Sequence, residues 1–238
     1  MLESATGDPR QTLVDLGRRL VREGLVRGTS GNLSARLPDG AVLVTPSGVD
    51  YATMSPDDLV VVDADGSVLD GRLKPSIDTH NHLAIYRARP DVGGVAHTHS
   101  PYATAFSTLP EPIPAFVAET AGYLGGPVRV MAYLPPGRPE LADRLSDALA
   151  ADRAILLPNH GVVAVGESPT AAVQAAEAVE EAARIAWLAR QLGQPRVVPD
   201  KEIRRLNEFI RHRYGQRDEP GCASGSAGAV VRAARRRS

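Results

Sequence analysis

Three histidines stand where their spacing could build a metal site. His97 and His99 lie in Gly93-Gly94-Val95-Ala96-His97-Thr98-His99-Ser100, and His160 lies in Leu157-Pro158-Asn159-His160-Gly161. The run from Val95 to His99 reads as a buried strand entered from a diglycine. Side chains on a strand alternate faces, so His97 and His99 point the same way. With a third imidazole from another strand end they offer three neutral nitrogen ligands. A fourth position is then left for substrate, as in catalytic metal sites. A single His at a strand end is ordinarily a packing residue. The H-x-H pair combined with a distant His-Gly is what lifts this group above that reading.

The elements that must position these rings can be read from periodicity. Gln11 to Glu23 carries Leu13, Val14, Leu16, Leu20 and Val21 on one helical stripe. Asn32 to Leu37 and Ala41 to Thr45 alternate as strands around Pro38-Asp39-Gly40, and Leu59 to Asp63 pairs with Ser67 to Leu69 around Asp65-Gly66. Ser55-Pro56-Asp57-Asp58 reads as a helical turn with Pro at its first position. Helices are predicted over Asp78 to Arg87, Pro101 to Ser107, Arg138 to Ala150, Ser168 to Leu192 and Asp200 to Arg213. Strands are predicted over Val128 to Met131, Ala154 to Leu157 and Val162 to Val165. Most of the sheet arrives as hairpins with helices segregated around it, which implies an α/β fold with a mainly antiparallel sheet. Residues 8–215 are expected to form the domain. From 216 to 238 the chain is Gly, Ser, Ala and Arg without periodicity, so it reads as a disordered tail, its basic end solvated.

Composition narrows the function classes. The chain has 238 residues, 43% hydrophobic and 23% charged, with a formal net charge of −1. That balance fits a globular protein and gives no electrostatic reason to expect a nucleic-acid or membrane partner. Cys222 is the single cysteine, so any metal must be held by His and carboxylates. Neither a signal-like apolar run nor a long uncharged stretch is present, and a reduced, cytoplasmic compartment is the expectation.

Three small turns suggest an anion pocket. Gly28-Thr29-Ser30-Gly31-Asn32 joins the first helix to the first strand, Thr45-Pro46-Ser47-Gly48 ends the second strand, and Lys74-Pro75-Ser76-Ile77 precedes a helix. Each offers free N–H groups and hydroxyls, and the helix opening near Asp78 adds its dipole. Taken singly, such turns are usually only turns.

In this order, from Gly28 through His160-Gly161 to Tyr214, the residues resemble the class II aldolase/adducin family. The resemblance implies a single three-layer α/β/α domain with a mainly antiparallel central sheet, usually a fourfold homotetramer with active sites between subunits. It implies that His97, His99 and His160 bind a divalent metal, most often Zn²⁺, although a three-His site also accepts Mn²⁺ or Co²⁺. The implied phosphate contacts are Gly31, Asn32, Ser47, Gly48, Ser76 and the backbone N–H of Ile77. Ile77 stands where the aldolases have a second Ser, so one hydroxyl is lost. Asp78 takes the place of the family's acid/base, and as Asp rather than Glu it is closer to the epimerases. Yet the epimerase Lys aligns with Thr45, and its Asp with Gly122. Glu119 lies beside Ala118, where fuculose-phosphate aldolase has a Tyr. Arg213-Tyr214-Gly215 resembles the C-terminal Tyr-Gly that reaches a neighbouring subunit.

The implied reaction is reversible cleavage of a ketose 1-phosphate to dihydroxyacetone phosphate and an aldehyde through a metal-stabilised enediolate. The metal polarises the carbonyl, Asp78 moves the proton on the enediolate, and Tyr214 serves the aldehyde oxygen. Alternatives within the family are a pentulose-5-phosphate 4-epimerase and a 3-oxo sugar-acid phosphate decarboxylase. An adducin-like module without chemistry is the remaining one, and three convergent imidazoles argue against it. An Asp before Thr79 is also a common helix cap, and Tyr214 could simply pack at a helix end. His82 is expected in a supporting or packing role, His80 facing substrate or solvent.

Overall fold

The computed structural model describes residues 7–135, 138 and 140–214; the expected tail lies outside the described residues. Among these, seven strands form one sheet in the order β4-β3-β2-β1-β5-β7-β6, every neighbouring pair antiparallel. The strands are β1 (Asn32–Arg36), β2 (Val42–Val44), β3 (Val60–Val62), β4 (Val68–Asp70), β5 (Gly94–Thr98), β6 (Ala154–Leu157) and β7 (Gly161–Gly166). The helices are α1 (Pro9–Arg22), α2 (Thr79–Ala88), α3 (Pro101–Ser107), α4 (Ala118–Leu124), α5 (Glu140–Leu149), α6 (Pro169–Leu192) and α7 (Asp200–His212).

Local chemistry explains the main helices. The Asp8 carboxylate accepts from the Arg10 N–H at the start of α1, with Pro9 in the first turn where its missing N–H costs nothing. Ser168 does the same for α6, its hydroxyl oxygen accepting from the Ala171 N–H, again followed by a Pro. Alternation along the strands then splits the core in two. Leu33, Ala96, Val162 and Ala164 face α1, α3 and α6, whereas Val42, Val44, Val60, Val95 and Val163 face α2 and α5. The result is the expected three-layer arrangement of helices on both faces of the sheet.

Two expectations need correction. Val128 to Met131 is not a strand: it makes isolated bridges only, Ile113 with Val128 and Val130 with Leu156. Leu156 alone supplies both bonds on the β6 side, donating to Arg129 O and accepting from Met131 N–H, so no ladder propagates. Conversely, the sequence assigns no element between Ser107 and Val128, where α4 is a helix. Its seven residues are too few to show a helical period, and it closes on Gly125 in the left-handed conformation.

Candidate metal centre and active site

The β1–β5–β7 centre of the sheet brings the histidines together. His97 is in β5, His99 lies one residue past that strand's end, and His160 immediately precedes β7. Their ring centroids are 4.7 to 4.8 Å apart. Their ligand atoms all fall within 4.8 Å of one another, the one such metal-competent group of three among the described residues. The approach needs Gly161: a Cβ there would sit 2.3 Å from the Thr98 carbonyl oxygen. Asn159, just before His160, holds a left-handed φ of 56°, a conformation Asn tolerates better than most residues, and its N–H donates to Ser107 O.

The donor set suits a cation. The Nδ1–H of His97 donates to the carbonyl oxygen of Val162 at 2.8 Å; a carbonyl can only accept, so the lone pair is left on Nε2. That Nε2 faces the Nε2 of His99 at 3.0 Å. Burial pulls His97 down to about 3, helped by the neighbouring imidazoles and opposed by Asp78. Burial and His160 also hold His99 below the usual imidazole range, against the pull of Asp78. Both rings are therefore neutral near pH 7, the state a metal ligand must have.

Asp78 shares this cluster. It occupies the N-cap position of α2, yet its side chain makes no capping bond. One carboxylate oxygen accepts from Asn32 Nδ2 at 2.8 Å and the other from Asn81 Nδ2 at 3.2 Å. Asn32 is the cross-strand partner of His97, so the carboxylate is tied to β1, the strand paired with the one that carries His97. Burial is the largest single influence and pushes the carboxyl up. Attraction between the carboxylate and the His97, His82 and His160 imidazoles, with donation from the Asn32 amide, outweighs it and holds Asp78 below the usual carboxylate range. The ordinary capping explanation for an Asp at a helix start thus fails here.

The three small turns meet at the same end of the sheet. Pro46 bridges Pro75, the Ser47 N–H donates to Lys74 O, and the Ser76 N–H donates to Thr45 O. Gly31 has φ 72°, and a Cβ on it would lie 2.5 Å from the His97 carbonyl oxygen, so this turn rests directly on the histidine strand. The Tyr51 hydroxyl supports it from below by donating to Gly31 O. Ser47, Gly48 and Ile77 are exposed, whereas Ser76 is buried and its Oγ accepts from the Asp78 N–H. The Asn32 amide donor is engaged by Asp78. Tyr214 follows α7, exposed, with its ring against Phe209. His80 is exposed and His82 buried.

Two features escaped sequence reasoning. Asn81 grips Asp78 from one turn along α2, a relation visible only as an Asp-x-x-Asn spacing. A buried chain runs from Tyr86 OH to Ser34 Oγ to His82 Nδ1 at 2.8 and 2.7 Å, leaving His82 Nε2 without a hydrogen-bond partner.

Comparison with known proteins agrees with this geometry. Residues 11–187 match the family model described as class II aldolase and adducin N-terminal domain. A 5-methylthioribulose-1-phosphate/5-deoxyribulose-1-phosphate aldolase of Rhodospirillum rubrum is 40% identical, over 85% of this chain and 90% of its own length. A 5-deoxy-D-ribulose 1-phosphate aldolase of Bacillus thuringiensis is 35% identical, over 87% and 97%. Relatives named L-ribulose-5-phosphate 4-epimerase and 3-oxo-tetronate 4-phosphate decarboxylase are 38% and 37% identical. Among solved structures, an L-fuculose 1-phosphate aldolase superposes with a TM-score of 0.82 at 36% identity, covering 89% of this chain and all of the other. The chain belongs to the class II aldolase and adducin family.

Proposed function

We propose that this chain is a divalent-metal-dependent aldolase that reversibly cleaves a 5-deoxypentulose 1-phosphate into dihydroxyacetone phosphate and a short aldehyde. The observation that carries it is the convergence of three imidazoles with an ionised, uncapped Asp78 at the mouth of three anion-suited turns. The substrate class comes from the names of the Rhodospirillum and Bacillus relatives.

His97, His99 and His160 hold the ion, and a divalent cation there, Zn²⁺ in this reading, supplies Lewis-acid polarisation of the substrate carbonyl. The turns around Gly31, Ser47-Gly48 and Ser76-Ile77 bind the phosphate through N–H groups and hydroxyls. Asp78 removes the proton from the hydroxymethyl carbon of dihydroxyacetone phosphate in condensation and returns it after cleavage. Tyr214 of a neighbouring subunit gives a proton to the aldehyde oxygen in condensation and takes it from the C4 hydroxyl in cleavage. That role needs an oligomer, proposed as a homotetramer. Its support is the apolar surface on the last two helices, where Trp187, Leu188, Leu192 and Phe209 are exposed.

The epimerase reading shares the bond but lacks its groups. Thr45 is buried, its Oγ1 accepting from the Leu33 N–H, and supplies no amine. At Gly122 even a Cβ would sit 2.7 Å from Leu206 Cβ, so α4 and α7 leave no room for an acid.

Dihydroxyacetone phosphate and acetaldehyde, incubated with protein reconstituted with Zn²⁺, should condense to a 5-deoxypentulose 1-phosphate, detected by NMR, and a chelator should stop the reaction. Interconversion of pentulose 5-phosphates without carbon–carbon condensation would overturn the aldolase reading in favour of the epimerase.

A further inference from the structure

The Asp78 carboxylate is held at both oxygens by side-chain amides, and by no backbone N–H of the helix it begins. An Asp at an N-cap ordinarily accepts from the N–H of the second or third helical residue. Here the N–H of Asn81, the third helical residue, points instead at the Asp78 backbone oxygen, as does that of His82, and no side-chain cap bond is made. The side chain is left to Asn32 of β1 and Asn81 of α2.

The two anchors differ in what they fix. Asn32 ties one oxygen to the sheet, directly opposite His97. Asn81 ties the other to the helix. A carboxylate held at one oxygen still turns about its terminal bond; one held at both, from two rigid elements, presents a defined edge. Helix chemistry does not explain Asn at position 81. The first turn of a helix favours acids through its dipole, yet the first turn of α2 contains none. An acid at position 81 would face the Asp78 carboxylate at hydrogen-bond distance.

We propose that Asn81 is a positioning residue for Asp78, orienting its carboxylate for proton transfer by holding the oxygen that Asn32 does not. This rests on the reading that Asp78 is the group that moves the proton.

The test is exchange of the hydroxymethyl proton of dihydroxyacetone phosphate in D₂O, followed by NMR on Zn²⁺-reconstituted protein, which needs no knowledge of the aldehyde. Asn81→Ala and Asn81→Asp are compared with the parent and with Asp78→Asn. Losing a hydrogen bond to a charged group should slow kcat for exchange about tenfold in Asn81→Ala, and replacing the donor by a second carboxylate should slow it about a hundredfold in Asn81→Asp. KM for dihydroxyacetone phosphate and metal content should stay at parent values. Repulsion between two carboxylates should lower the thermal midpoint of Asn81→Asp, so stability is read in Asn81→Ala, whose midpoint should stay near the parent's because Ala is a good helix former. A merely structural Asn81 would show the reverse, with stability and rate falling together. Unchanged kcat in both Asn81 variants, beside an inactive Asp78→Asn, would overturn the positioning role alone. Full exchange by Asp78→Asn would overturn the Asp78 reading itself and the inference with it.

Discussion

The two faces of the sheet are packed on different terms. Against α6 the contacts are mostly Ala and Val: Ala172, Val173, Ala175, Ala176, Val179 and Ala183 are fully buried against Leu33, Ala96, Val162 and Ala164. Small side chains let a 24-residue helix lie close, and close packing is the whole of what that face contributes. The opposite face mixes Val and Leu with Asn32, Ser34, His82, Tyr86 and His97, and it leaves Asn32 Oδ1 and His82 Nε2 buried without partners. The same three central strands serve both, because alternate residues point opposite ways. Buried polar side chains are more numerous on the face that carries His97, although Thr98, on the α6 face, also leaves its Oγ1 without a partner.

That contrast can be broken at four points of decreasing size. His97→Ala, on the polar face, should abolish metal binding, read by elemental analysis of purified protein, and should abolish activity with it; an active, metal-free variant would remove the centre altogether. Acid should come next. His82 is buried and neutral, its pKa pushed down to about 4 from an ordinary 6.5, and His97 shifts the same way. The unfolded chain therefore binds more protons between those values. The stability these groups contribute is fully present above pH 6.5 and is lost as pH falls through about 4. For chelated protein, His82 alone accounts for about 3 kcal/mol of this slope. His82→Gln should flatten the dependence of the urea midpoint between pH 7 and pH 4.5, and an unchanged slope would assign it elsewhere.

On the apolar face, Ala176→Leu should cost about 1–3 kcal/mol through overpacking while leaving kcat and metal content at parent values. A change in kcat there would mean that the two faces are coupled. Smallest of the four, Ser76→Ala should raise KM for the sugar phosphate severalfold with little effect on kcat, as expected for uniform binding. Equal turnover of ketoses with and without phosphate would remove the anion pocket from the polar face's duties.

The clustering of the histidines was legible because the alternation of β5 carries one residue past its end, so His97 and His99 share a side. The hairpins around Gly40 and Gly66 were legible from turn chemistry, and α6 from its length. The relation of Asn32 to Asp78 was not, since the two lie 46 residues apart in sequence and meet only through strand pairing. Asn81 was missed for another reason. Polar residues at helix starts are common, and nothing in sequence marks one whose amide turns back on the preceding acid. The bridges around Val128 misled because Val-Arg-Val-Met alternates as a half-buried strand would, until its neighbour's hydrogen bonds are counted.

The pairing of β5 with β1 and β7 also fixes when the cluster can exist during folding. β5 joins β1 from about 60 residues upstream and β7 from about 70 downstream, so both pairings are non-local and slow to form compared with the hairpins β1–β2 and β6–β7. A chain emerging from the ribosome has no complete histidine cluster until residue 160 is made and β7 has docked. Capture of a spectroscopic probe ion such as Co²⁺ during refolding would then mark the closure of the sheet's centre. It should follow, and not precede, the appearance of hairpin structure.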